Sequence, residues 1–505
     1  MRKYLLILSL FLSLFLVSSC SKESTRTIKI YNCVDYIDEA VLDEFVNWFK
    51  EEYGEDIDYV YDTYETNESM YNTIRTGKTD YDLCCPSDYM IQKMMRENML
   101  ETFDFENYNL DIYMDNCSPY IKDIFEEQGW TNYAACYMWG TLGIIYNPEE
   151  LGELMDSTNE DGDYDYDVLS WTDFLNPNFK GVVSLKDSVR DSYCVANILT
   201  YRDELVSQDN TDPSYNTLIN DVINRVSDED IKKNEQTLRE LKKNIFGLEV
   251  DSAKGDIVTG KIAMNLAWSG DAVYSIDLAE EEGIELRYLV PSEGGNVWFD
   301  GWVMPKGADK ELAQAFINFL SQPEIARLNM EEIGYTSSIA GKEIFELVDE
   351  WYGKASNEIY VEECQKAYDN DPSDENKELL DEAKAYLLEA EYVECDLTYF
   401  FNGTLDDELL TDGKVIVMID SSYMDRQYST QYPDEETLNR CGVMRDFEDQ
   451  NEKVLQMWIN FKANEVTPPL VIALILFIVL CILVFLYSKR SYIMRKARLK
   501  KENKA

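Results

Sequence analysis

The chain has 505 residues, with 46 Lys+Arg against 97 Asp+Glu, no histidine and a formal net charge of −51. Without histidine there is no Ser-His-Asp triad, no Cys-His pair and no imidazole metal site. The acidity argues against nucleic acid, whose phosphates need a Lys/Arg footprint, and favours cationic partners. A 45% apolar and 13% aromatic composition still supplies a packed core, and the length suits two to four domains or lobes.

Residues 1–20 have the form of an export signal. Arg2 and Lys3 precede the apolar stretch Leu5 to Val17, which ends in Val17-Ser18-Ser19-Cys20. The small residues before a cysteine resemble the lipobox of bacterial lipoproteins, which implies cleavage before Cys20 and lipidation of its sulfur.

Strands and helices then alternate. Thr27 to Tyr31 is a predicted strand. Val41, Leu42, Phe45, Trp48 and Phe49 recur at helical spacing, and Gly54 ends that helix. Ile57 to Tyr61 is the next strand, and Asn67 is placed to cap a helix through Ile74. Tyr81 to Cys85 reads as a third strand stopped by Pro86, with Ser87 as N-cap of the helix carrying Ile91 and Met94. This βαβαβ rhythm implies a parallel sheet with helices on both faces. Such sheets bind ligands beyond the carboxyl ends of their strands, so the loops 32–36 and 86–89 are the places to look.

Further strands are predicted at Gly143 to Tyr146, Val182 to Leu185, Ile262 to Leu266 and Leu286 to Val290. The acidic loop 159–167 imitates part of a calcium loop. Its first ligand position would be Ser157 and its twelfth Val168, so the pattern fails. Residues 341–394 are charged and helical in pattern and read as an inserted surface element. No motif calls for a metal or a cofactor.

Near the C-terminus, Leu470 to Tyr487 runs 18 residues without a charge, enough to span a bilayer. Eight basic residues against Glu502 follow it, which places the tail 488–505 in the cytoplasm. Residues 21–469 are then extracytoplasmic and hold 36 basic against 96 acidic residues, a net −60. That excess would steer polycations to a binding cleft, or it is a general acidic composition. Its even spread along the chain favours the second reading. Cys33, Cys84, Cys85, Cys117, Cys136, Cys194, Cys364, Cys395 and Cys441 form no CxxC pair. We expect mostly buried free thiols rather than a zinc site.

Aromatic residues and carboxylates cluster in loop positions: Asp35-Tyr36, Asp88-Tyr89, Trp268 with Asp271, Trp298 with Asp300, and Tyr335. An aromatic face attracts an organic cation and a carboxylate fixes its ammonium end. An alkyl polyamine needs this combination along its length.

The series Ile30-Tyr31-Asn32 with Asp35-Tyr36, Thr63 to Tyr71, Tyr81-Asp82-Leu83 with Pro86 to Tyr89, and Trp139-Gly140-Thr141 resembles the bacterial spermidine/putrescine-binding proteins. These are substrate-binding subunits of ABC importers. The likeness continues through Ser170 to Asp173, Lys180-Gly181, Asp187 to Asp191, Ala267 to Gly270, Pro291 to Gly295, Trp298 to Asp300, Ile333 to Tyr335 and Tyr432 to Asp434. It is colinear over most of 27–340.

The resemblance implies an α/β two-lobed clamshell with chain crossovers. Lobe 1 would be 27–137 with 301–335, and lobe 2 would be 138–300 with 336–460, the 341–394 element inserted in it. It implies a binding protein rather than an enzyme, with an ABC permease and its ATPase as partners. By position, Tyr36, Tyr89, Trp268, Trp298 and Tyr335 match aromatic pocket residues. Asp300 matches the acid that holds one amine, Asp191 an acid near the other end, and Ser87 a polar contact. Cys33 stands where the family commonly has tryptophan, and Ser188 where some spermidine binders have an acid. These departures bear on which amine is bound. The alternatives are a binder of another small cationic solute or a surface sensor lipoprotein.

Overall fold

Strand β1 (Arg26–Cys33) pairs in parallel with β2 (Ile57–Tyr64) on one side and with β3 (Leu83–Cys84) on the other. These elements belong to a computed structural model that describes residues 25–154 and 169–463. Helix α1 (Ala40–Tyr53) joins β1 to β2 and buries Val41, Leu42, Phe45 and Phe49, one stripe of a 3.6-residue period. Gly54 ends it at φ 73°, donating its N–H to the Lys50 carbonyl; a left-handed cap of this kind is what glycine allows.

Two local expectations are corrected. The cap of α2 (Asn67–Arg75) is Thr66, not Asn67: its hydroxyl accepts from the Ser69 N–H, and Ser69 returns a bond to the Thr66 backbone. Asn67 is thereby free to reach Ser87. Likewise the third strand is paired only at Leu83–Cys84, shorter than 81–85. Tyr81 instead stacks on Tyr31 at 4.5 Å between ring centroids. Helix α3 (Asp88–Arg96) does begin after Ser87, but the Ser87 side chain makes no capping bond.

The centre of the sheet is a pair of long antiparallel strands, β4 (Ala134–Tyr146) and β9 (Gly295–Val303), in register from Ala134↔Val303 to Leu142↔Asn296. All thirteen residues of β4 are buried. A strand covered on both faces shows no alternation, which is why only its end, 143–146, reads as a strand from sequence. The amino end of β4 lies opposite the carboxyl end of β9, beside β3, which pairs with Val303. The other end of β4 pairs with β7 (Met264–Trp268). Beyond β7 come β5 (Val183–Lys186) and β6 (Gly247–Glu249), both in parallel ladders. The order is thus β2-β1-β3-β9-β4-β7-β5-β6, with β8 (Arg287–Leu289) and β10 (Thr336–Ser337) added antiparallel to β4. This is a mixed α/β sheet with parallel strands at both ends, each feeding a helix.

Further helices are α4 (Val189–Thr200) after β5, α5 (Ser269–Glu281) after β7, then α6 (Lys310–Leu320) and α7 (Pro323–Ile333) after β9. The 341–394 element is three helices, α8 (Lys342–Tyr352), α9 (Lys354–Asn370) and α10 (Asp374–Glu389). Its last residues are strand rather than helix: β11 (Tyr392–Asp396) pairs antiparallel with β12 (Ile416–Asp420).

The nine cysteines of the described residues are free thiols, seven of them buried and Cys33 and Cys395 half-buried. Cys20, the loop 159–167, the run 470–487 and the tail lie outside the described residues. Among the described residues, no helix is long and apolar enough to cross a membrane. The described residues up to Val454 form one unit, and those from Leu455 belong to another.

Candidate functional site

The site lies where strand ends meet the central pair. After β1 the chain turns at Asp35, which adopts φ 52°, and turns Tyr36 inward to 6% exposure. The Tyr36 phenol donates to Asp300 Oδ2 at 2.8 Å. Asp300 sits in β9 opposite Met138 and forms an isolated bridge with Ser87, so the loop after β3 is fastened to the same carboxylate. Ser87 is held by Asn67, which donates to its hydroxyl at 2.9 Å and accepts its N–H at 3.0 Å.

Asp300 is the unusual group. Its Oδ1 is buried and has no hydrogen-bond partner. Burial pushes its carboxyl up to about 6, against the opposing pull of the Ser87 and Tyr36 hydroxyls, and the negative charge of Asp191 adds to the rise. A carboxylate with one oxygen fixed and the other unmatched is suited to an incoming ammonium group.

Aromatic walls surround it. The Tyr36 and Tyr335 rings meet edge to face at 5.1 Å, and Trp298 lies 5.8 Å from Tyr335. The Trp298 indole N–H donates to the Thr141 carbonyl, which fixes its plane. Two glycines let these rings lie on backbone. A Cβ at Gly140 would meet the Trp298 ring at 2.7 Å, and one at Gly270 would meet Tyr335 at 2.3 Å.

The second acid comes from α4. Asp191 is buried in its first turn, where Ser188 is the N-cap, accepting the Asp191 N–H. Ser188 is therefore accounted for as a helix cap at the position of the family's acid. Burial raises the Asp191 carboxyl, while the Ser188 and Trp268 side chains pull it down.

Of the eight residues chosen from sequence, Tyr36, Trp298, Asp300 and Tyr335 form one contiguous group, with Ser87 against it. Trp268 is joined to it through Lys186 and Asp271, whose Oδ1 accepts the Tyr335 phenol at 2.7 Å, and the charge of Asp191 acts on Asp300. Tyr89 already has partners within the protein. The Arg190 guanidinium lies over its ring at 4.6 Å, and its phenol donates to Glu68. An internal cation thus already occupies one face.

Lys186, at the end of β5, was not anticipated. It is 1% exposed, donates to Asp271 Oδ2 at 2.8 Å and pairs with Glu249 at 3.1 Å. Its ammonium lies 4.3 Å from the centroid of Trp268. Burial would lower its proton affinity, but Asp271 and Glu249 outweigh that and keep it charged. Burial likewise opposes ionisation of Asp271, yet Lys186 and Lys254 bring its carboxyl below the usual range. The one available signal is a lysine closing the apolar strand VSLK. Its acidic partner Asp271 lies 85 residues away, beyond the reach of local pattern.

Residues 44–346 match the family of bacterial extracellular solute-binding proteins. The spermidine/putrescine-binding periplasmic protein of Escherichia coli K12 is 29% identical over 335 residues, covering 65% of this chain and 82% of that protein. Spermidine/putrescine-binding periplasmic protein 1 of Haemophilus influenzae is 26% identical over 329 residues, covering 63% and 76%. Among solved structures, a putative spermidine/putrescine ABC transporter protein from Listeria monocytogenes superposes with a TM-score of 0.57 at 24% identity. It covers 87% of this chain and 99% of that one. The spermidine/putrescine ABC transporter substrate-binding protein of Streptococcus pneumoniae gives 0.52 at 24%, with the same coverage. The superpositions bear out the α/β binding-protein fold.

Proposed function

We propose that this chain, which belongs to the bacterial extracellular solute-binding proteins, captures a polyamine of the spermidine/putrescine class and delivers it to an ABC permease with its ATPase. The observation that carries the ligand assignment is the Asp300 carboxylate. It is buried among Tyr36, Trp298 and Tyr335, with Oδ1 unmatched. The names of the relatives support the same ligand class. The role is binding. Asp300 and Asp191 hold the ammonium ends, aromatic faces flank the methylenes, and Ser87 and Tyr36 keep Asp300 oriented. Lobe 1 would contribute Tyr36, Ser87 and Tyr89, and lobe 2 Asp191, Trp268 and Trp298. A ligand touching both would favour the closed form.

The full chain, purified in detergent and titrated calorimetrically, should bind putrescine or spermidine, and Asp300→Asn and Trp298→Ala should each weaken binding at least tenfold, about 1.4 kcal/mol. No heat with any polyamine, or unchanged affinity in both variants, sinks the reading.

The anchoring belongs to the same proposal. A lipid on Cys20 and a membrane helix over 470–487 would hold the body 21–469 on the extracytoplasmic face, with 488–505 in the cytoplasm. Incorporation of a palmitate analogue should disappear in Cys20→Ala. Cleavage at Lys504 by protease added to intact cells would refute the orientation.

A further inference from the structure

The Lys186 cluster is hydrogen-bonded to a wall of the candidate site. Asp271 joins the Lys186 ammonium on one oxygen to the Tyr335 phenol on the other, and Tyr335 is an aromatic wall of the Asp300 pocket. The Lys186 ammonium also donates to the Val250 carbonyl at 2.8 Å, so with Asp271 and Glu249 its three protons are committed. Trp268 therefore has a cation on one face before any ligand arrives. An indole face is where an alkyl ammonium would otherwise be drawn.

A linear triamine presents three cationic positions and a diamine two. Three of the acids near its aromatic walls are Asp300, Asp191 and Asp271. The last is neutralised by Lys186 within the protein. Neither Asp300 nor Asp191 is ion-paired among the described residues. Of these three, Asp300 and Asp191 then remain for the ligand.

We propose that Lys186 is a resident cation occupying one of the ammonium positions of this site, and that it makes the protein select a diamine over a triamine. The inference rests on the polyamine reading above and deepens it. A third ammonium brought towards Trp268 meets a fixed positive charge instead of the carboxylate of Asp271. Specificity here is built by repulsion as well as by contact.

The test compares putrescine and spermidine in calorimetric titrations of the full chain in detergent. The wild type should bind putrescine more tightly. Lys186→Met frees Asp271 and Glu249, so the spermidine-to-putrescine affinity ratio should rise about tenfold or more, while Lys186→Arg retains the wild-type ratio. The buried acids left by Lys186→Met could prevent folding. The double variant Lys186→Met/Glu249→Gln removes one of them, and the same rise in ratio is expected, with folding checked by thermal unfolding. A purely structural lysine would lower both affinities together; an unmoved ratio in variants that fold and bind overturns the proposal. So does a wild type that prefers spermidine. If the wild type binds neither amine, the polyamine reading itself falls, and this inference with it.

Discussion

Asp300 is mismatched to its surroundings in the unliganded protein. Burial raises its carboxyl to about 6 from an ordinary 3.8, so the fold favours its neutral form. Between about pH 4 and 6 the folded chain binds the proton more tightly than the unfolded chain, so this group's contribution to stability declines as pH rises through that window and stays low above it. Asp300→Asn removes the penalty. Unliganded Asp300→Asn should be more stable than wild type at pH 7.5, by at most roughly 3 kcal/mol. The advantage should disappear below about pH 4, as thermal unfolding across pH will show; an equal or lower Tm at pH 7.5 contradicts the assignment. Binding runs the other way, because an ammonium needs the ionised carboxylate. Affinity for putrescine should be flat above about pH 7 and fall below about pH 6 with a slope approaching tenfold per unit, with Asp191, also raised by burial, steepening the fall. A pH-independent affinity between pH 5 and 8, read by calorimetry, excludes Asp300 as the ammonium partner. The same residue would thus weaken the empty protein and enable the filled one.

At the scale of elements, the ligand walls depend on how closely β4 and α5 approach the aromatic rings. Gly270, in the first turn of α5, leaves no room for a methyl group against Tyr335. Gly270→Ala should push that ring off Asp271, cutting putrescine affinity at least tenfold while costing about 1–3 kcal/mol of stability. Wild-type affinity in this variant would mean that Tyr335 is not a wall. The elements that the sequence made legible are those with a local period. β1, α1 and β2 declare themselves through alternation and through the Phe45–Phe49 stripe closed by Gly54. β4 does not, because burial on both faces erases the alternation. The cap of α2 was missed by one residue, since Thr66 and Asn67 are both capping types and only geometry separates them. The pocket shows the same division. Tyr36 and Tyr335 could be named from their loop positions, and Trp298 and Asp300, which fold into β9 rather than a loop, only from the family resemblance; the four lie together. Lys186 could not. A buried lysine in a strand becomes intelligible only when Asp271 and Glu249 are folded beside it.

At the scale of the whole chain, two features meet at the ligand: a large acidic excess and a sheet whose ends are linked through β4 and β9. The acids are spread along the sequence, which fits a general acidic composition, while the pocket acids would decide what is retained. The sheet order explains how retention could become movement. Tyr36 and Ser87 follow β1 and β3 on one side of the central pair, and Asp191 and Trp268 lie at β5 and β7 on the other. A diamine held by Asp191 and by Asp300, whose carboxylate is fastened to Tyr36 and Ser87, would draw these groups together. Val60 on β2 and Phe246 next to β6 are exposed and mark opposite edges of the sheet. Spin labels on unnatural amino acids at these two positions avoid the free thiols. Their separation should shorten by more than about 2 Å when putrescine is added to the otherwise wild-type chain. With Asp191→Asn, putrescine held at Asp300 alone loses its anchor on the far side, and the separation should stay at its unliganded value even at saturation. Equal shortening in both chains would mean that closure does not depend on Asp191; no shortening in either would mean that capture leaves the sheet ends where they were.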